Sequence, residues 1–172
     1  EGTMIDTILF DLDGTLLPVG LKEFTAAYFA GIKKAFFGLG LDVESAFGAL
    51  WGGTEAMMKN DGTMTNAARF WEHFAAALKL PRERLGALEA SLDRFYASED
   101  FDGIQALLRG DLALSRRVVE TAREKGYDLV LATNPLFPMI AVTMRLKWLG
   151  IDPAVFRHVT DYTRSSYCKP NN

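Results

Sequence analysis

The sequence predicts an α/β fold, a parallel sheet core into which an all-helical segment is inserted after the first strand. Two observations carry this. Apolar runs at Ile5 to Phe10, Tyr127 to Ala132 and Val155 to Thr160 each end in polar residues, as strands do when a sheet carries its chemistry at their carboxyl ends. From Leu21 to about Glu99, by contrast, Ala, Leu, Phe, Met, Lys, Arg and Glu dominate and β-branched residues are scarce. Strand, helical insert, helix, strand, helix, strand is an order whose right-handed crossovers make the sheet parallel. The expected division is 4–17 and 104–172 for the core and 18–103 for the insert. Glu1-Gly2-Thr3, ahead of Met4, reads as a cloning remnant.

Each element has its own signal. After the first strand, Asp11 to Leu17 is a turn, with Pro18 and Gly20 closing its exit. Phe24, Tyr28 and Ile32 recur every four residues, so Leu21 to Phe37 should be an amphipathic helix stopped by Gly38 and Gly40. Asp42 caps a second, Val43 to about Asn60, with an expected interruption at Gly52-Gly53. Thr65 or Asn66 caps a third, striped by Phe70, Trp71, Phe74 and Leu78. Pro81 suits the first residue of a fourth, carrying Leu85, Leu88, Leu92 and Phe95. Phe101-Asp102-Gly103 is a turn-like re-entry to the core, followed by a short helix from Ile104 to Arg109. Leu114 to Lys125 is a clearer helix, ended by Gly126. Past the second strand, Pro135 and Pro138 fit the first turn of a helix that Gly150 closes, and Ser165 to Pro170 is a loop leading to Lys169.

Composition excludes several classes. The 172 residues are 49% hydrophobic and 24% charged, ordinary for a folded globular chain. A net charge of -3 with mixed signs offers no basic patch to nucleic acid or to an anionic membrane. No apolar segment is long enough to span a bilayer, and the single Cys168 fits a reducing compartment, so the cytoplasm is the expected location. The expected partner is a small molecule, with oligomeric state left open.

The chemistry concentrates at Asp11-Leu12-Asp13-Gly14-Thr15-Leu16. If the strand period continued, both acids would face one way, and Gly14 lets the chain turn sharply. Two carboxylates so close need a cation, a proton or donors nearby, and Mg²⁺ meets that need while also binding phosphate. A carboxylate attacking phosphorus gives an acyl phosphate, and a second acid can protonate the leaving alkoxide and then activate water.

This stretch resembles the first motif of the haloacid dehalogenase-like (HAD) hydrolases. The resemblance implies a Rossmann-like core with a helical C1-type cap, Asp11 as nucleophile and Asp13 as general acid and base. Thr133, at the end of the second strand, is similar to the second motif, whose hydroxyl holds a phosphoryl oxygen. Lys169-Pro170 is similar to the third, a lysine that neutralises charge on the nucleophile and the transferring group. Gly14, Thr15 and Asn134 would contact substrate, as would Trp51 from a glycine loop in the cap, and Asp11 and Asp13 would bind Mg²⁺. The fourth motif, acids after a later strand that complete the metal site, has no counterpart. Asp161 precedes Lys169 and is in the wrong order. Either the core continues past Asn172 or metal is bound poorly.

The implied activity is Mg²⁺-dependent hydrolysis of a small phosphorylated metabolite, a phosphate monoester, through an aspartyl-phosphate. Alternatives are a phosphomutase, a phosphonatase using Lys22 or Lys59 as Schiff base, or a catalytically silent binding domain. Carbon-halogen chemistry is disfavoured because it does not need Asp13. Asp61-Gly62-Thr63 repeats the tripeptide without a strand before it, so it reads as a polar loop. His73 and His158 have no partner at metal-ligand spacing, and Cys168 reads as a small packing residue.

Overall fold

The computed structural model describes residues 5–171, so the reading of Glu1 to Thr3 lies outside the described residues. Thr7–Phe10 forms β1, Asp128–Leu131 β2 and His158–Val159 β3, and they pair in parallel in the order β1-β2-β3. Phe10 stands opposite Leu131, and Leu131 opposite Val159, so the carboxyl ends of the strands are level. The segments leaving the three strands therefore meet at one edge: Asp11 after β1, Thr133 after β2 and Asp161 after β3. The third strand is shorter than the apolar run suggests. Asp152 accepts from the Ala154 amide and Pro153 starts a 3₁₀ turn over Pro153–Val155, which takes Val155 out of the sheet.

The chain between β1 and β2 is helical: the insert carries α1 Leu21–Gly38, α2 Val43–Met58, α3 Asn66–Leu78, α4 Arg82–Tyr96 and the short α5 Glu99–Asp102, and a 3₁₀ turn at Gly103–Leu107 and α6 Leu112–Glu124 follow it. The caps obey the expected chemistry. Asp42 accepts from the Ser45 amide, Thr65 from Ala68 and Asp111 from Leu114, each satisfying a first-turn donor. Because Asp111 caps it, α6 begins earlier than Leu114. Pro81 is the N-cap rather than the first helical residue. The re-entry at Phe101-Asp102 is helical instead of a turn, with Phe101 fully buried against Phe95, Tyr96 and Trp148.

Two boundaries depart from expectation in ways that bear on the site. Helix α2 runs unbroken through Gly52 and Gly53. A side chain at Gly53 would come within 2.7 Å of the Phe70 ring and 3.3 Å of the Phe70 carbonyl, and one at Gly52 would strike His73. The glycines let α2 and α3 lie close, and that packing offsets their low helix propensity. Phe70 stacks on Phe74 and meets Trp71 edge-on, so a shift of its ring would disturb both contacts. Gly53→Ala should therefore cost about 1–3 kcal/mol in urea melts, by overpacking. A variant as stable as the parent would show that the α2–α3 contact yields.

The second departure comes after β2. Helix α7 starts only at Met139 and ends at Trp148, with Pro138 as its N-cap and Pro135 in the preceding loop. Pro138 disfavours helical backbone at Phe137, so no turn forms before it. Thr133 and Asn134 consequently lie in a connecting loop, away from the helix start that their sequence position suggests.

Candidate active site

Asp11 and Asp13 leave β1 on either side of Leu12, which is fully buried while both acids reach the surface of the site. Leu16 and Leu17 are buried as well, so three leucines pull the turn inward and present the acids outward. Gly14 takes φ +79°, and its amide donates to the Leu17 carbonyl at 3.0 Å while the Leu17 amide donates to Leu12 at 2.8 Å. From α6, Ser115 Oγ donates to the Leu16 carbonyl at 2.7 Å, fastening the turn to the core.

Asp11 has two side-chain donors. Lys169 Nζ reaches Oδ1 at 2.8 Å and Thr15 Oγ1 donates to Oδ2 at 3.0 Å. Burial pushes this carboxyl up, but the hydrogen bonds from Lys169 and Thr15 outweigh it, and Asp11 sits below the usual carboxylate range. Lys169 is itself placed by Asn134, whose Oδ1 accepts from the Lys169 amide at 3.1 Å. Thr15 and Asn134, expected at the substrate, are thus already engaged with the two charged groups.

Asp13 is held by a residue the sequence reading does not single out. Arg145 of α7 is fully buried, and its Nη1 lies 2.7 and 2.6 Å from the two carboxylate oxygens of Asp13. Its Nε donates to the Ala141 carbonyl at 3.1 Å, and its guanidinium carbon stands 4.5 Å from the Phe137 ring centroid. Nη2 is buried and has no hydrogen-bond partner among the described residues. The signal was present: Arg145 falls four residues after Ala141 and next to Leu146, on the apolar stripe of α7, where a cation needs a counter-charge.

The remaining candidates are dispersed. Thr133 is 2% exposed, and its carbonyl accepts from Thr160 Oγ1 at 2.6 Å. Trp51 lies on α2, half exposed, with Phe29 and Phe47 edge-on to it. It reaches the cavity wall from a helix, not from a glycine loop. Asp161 is buried in a turn, accepting from the amide and hydroxyl of Thr163, with Arg164 Nε 3.5 Å from its other oxygen. Asp61 likewise accepts from Thr63 and from Arg69, which makes Asp61-Gly62-Thr63 a polar loop. Cys168 is buried with Asn66 Nδ2 donating to its sulfur at 3.4 Å, and burial pushes the thiol up. Lys59 pairs with Glu55 at 2.5 Å, and neither it nor Lys22 lines the cavity.

That cavity, of about 450 Å³, opens from Asp13, Gly14 and Asn134 into the insert and is walled mainly by aromatic and aliphatic side chains. The amino end of α3, the helix that brings Phe70 and Trp71 to the cavity wall, is bonded to loops of the core. Asn66 Nδ2 lies within 3.4 Å of the carbonyls of Pro135 and Tyr167 and the sulfur of Cys168, and the amides of Asn66 and Ala67 donate to Ser165 and Tyr162 at 2.7 Å.

The donors suit a hard divalent cation, which takes one or two carboxylates and keeps its waters. The set is small, however. Asp13 faces Arg145, and among the described residues no three His, Cys, Asp or Glu are grouped to hold a metal. Among the described residues, too, no helix is long and apolar enough to cross a membrane.

No curated protein and no solved structure matches the chain significantly. A family model described as haloacid dehalogenase-like hydrolase matches residues 5–172, which takes in the acidic turn, the helical insert and the loop carrying Lys169. The parallel three-stranded sheet, the strand-end Asp11 and this match together place the chain among the haloacid dehalogenase-like hydrolases.

Proposed function

We propose that this hydrolase is a Mg²⁺-dependent phosphatase that cleaves a small phosphate monoester through an aspartyl-phosphate, with the helical insert as its cap. The observation that supports this reading best is Lys169 Nζ at 2.8 Å from Asp11 Oδ1, a fixed cation on a strand-end carboxylate. An oxygen of Asp11 attacks phosphorus as the bond from phosphorus to the ester oxygen breaks. The departing oxygen takes its proton from Asp13, which enters this step protonated and is left as the carboxylate that Arg145 holds. A water that gives its proton back to Asp13 then attacks phosphorus, the bond to Asp11 breaks, and phosphate leaves with the carboxylate restored. Of the two Asp11 oxygens, Oδ2 is the nucleophile, because its partner is the neutral Thr15 hydroxyl, which can turn away.

Lys169 offsets charge on Asp11 and on the transferring group, and Thr133 and Asn134 act on the phosphoryl oxygens from the loop after β2. Gly14 and Trp51 contact substrate at the cavity mouth and on the α2 wall. Mg²⁺ would be held by Asp11 and Asp13, and when bound it supplies positive charge to the phosphoryl oxygens. Arg145 positions Asp13.

The test is hydrolysis of 4-nitrophenyl phosphate with and without Mg²⁺. No turnover under either condition would overturn the phosphatase reading. The metal is checked separately by thermal melting: Mg²⁺ at ten times its Kd contributes about 1.4 kcal/mol, a rise of about 3–6 °C in Tm. That rise should vanish in Asp11→Asn. A wild-type Tm that ignores Mg²⁺ would remove the ion from the site.

A further inference from the structure

The cavity beside Asp13 has an unusual balance of polarity and charge for a site that would take a small phosphorylated molecule. Its polar side chains are largely engaged with one another. The hydroxyls of Tyr28 and Tyr96 are 3.0 Å apart, and burial pushes Tyr28 up to about 12, so both stay neutral. Trp71 Nε1 donates to Tyr162 Oη and Tyr162 Oη to Glu89, both at 3.4 Å, while Thr54 Oγ1 donates to the Leu50 carbonyl at 2.9 Å. These walls present a ligand with aromatic face and methyl surface. They offer little of the hydrogen bonding that a sugar would need.

The charges are one-sided. Asp13, which Arg145 neutralises, lines the cavity together with Glu89 and Asp93, and among the described residues no lysine or arginine does. Glu89 and Asp93 lie on α4, one turn apart, and neither has a cation within 4 Å among the described residues. Asp93 is partly buried with no hydrogen-bond partner on its side chain among the described residues, and burial raises its carboxyl. Carboxylates left against an apolar wall are costly unless a counter-charge or donor arrives with the ligand. A second anion on the substrate would be repelled for the same reason.

We propose that the substrate is the phosphate monoester of an apolar alcohol, aromatic or long-chain, that carries an ammonium group and no second anion, the ammonium lying against Glu89 and Asp93. The apolar body fills the space among Tyr28, Phe29, Trp71 and Phe137 and takes its affinity from the apolar area it buries. The carboxylates then select among apolar alcohols by charge. This rests on the phosphatase reading for the phosphoryl end only.

The experiment compares three phosphates that differ only at the end remote from phosphorus: 2-(4-aminomethylphenyl)ethyl, 2-(4-methylphenyl)ethyl and 2-(4-carboxyphenyl)ethyl phosphate. Their leaving-group reactivities are matched, so kcat/KM reads the cavity. The expected order is ammonium, then methyl, then carboxylate, with about tenfold or more between first and last, and glucose 6-phosphate below the ammonium and methyl compounds. In Glu89→Gln/Asp93→Asn the spread between ammonium and carboxylate collapses toward unity. Calorimetric binding of the three parent alcohols should show the same order without any chemistry. If no phosphate is hydrolysed but the alcohols bind in that order, the phosphatase reading fails and the cavity assignment stands. A methyl or carboxylate compound equal to or better than the ammonium one, in turnover or in binding, overturns the charge selection. Glucose 6-phosphate as the best substrate overturns the apolar body.

Discussion

Asp11→Asn should lower kcat for 4-nitrophenyl phosphate by about 10⁴-fold or more, because the amide oxygen is a poor nucleophile and Lys169 loses its counter-charge. The fold should survive, since the Asp11 side chain is 38% exposed and the turn is held by Leu12, Leu16 and Leu17. Residual activity within about tenfold of the parent would remove Asp11 as nucleophile. A phosphoryl adduct on the Asp11 peptide, trapped by acid quench and seen by mass spectrometry, is the positive sign. The carboxyl also predicts its own titration. Hydrogen bonds from Lys169 and Thr15 keep it below the ordinary range, so it takes up its proton at a lower pH than a free aspartate does. Lys169→Met should move the midpoint upward, as read by carbon-13 NMR of the Asp11 carboxyl. An unchanged midpoint would mean that the 2.8 Å contact does not set it.

Arg145→Met carries the second large effect. Methionine fills similar volume without charge, so the loss is the hold on both oxygens of Asp13. Removing one member of a buried pair costs about 3–5 kcal/mol, but Asp13 is a third exposed and water recovers part of it, leaving about 1–2 kcal/mol in denaturant melts. The larger consequence is kinetic. A general acid that swings free of its position should lower kcat by about 100-fold with little change in KM. Arg145→Lys restores charge without the planar fork and should recover only part of the rate. A kcat equal to the parent's in Arg145→Met would make the pair purely structural.

Much of this was legible in the chain. The strands, the capped helices and the Asp11-Leu12-Asp13-Gly14 turn arise from local pattern, and local pattern is what a sequence displays. The misreadings have a common cause. Gly52-Gly53 looks like a break because the compensating contact, Phe70, comes from another helix. Pro135 and Pro138 look like one helix start because the veto on Phe137 acts through its neighbour rather than through the helix itself. Arg145 escaped because its partner lies 132 residues away. The charge on the cavity wall was equally hidden, since α4 alone does not say which of its acids turn inward.

The bonds from Asn66 and Ala67 have a mechanical corollary. The loop ending in Lys169 hangs from Ser165, Tyr162, Tyr167 and Cys168, and each of these is gripped by the first turn of α3. The lysine is therefore anchored less by the sheet than by the same helix that carries Phe70 and Trp71 on the cavity wall. A tilt of α3 would carry with it the charge that holds Asp11, so the room in the cavity and the setting of that carboxylate are two readings of one lever.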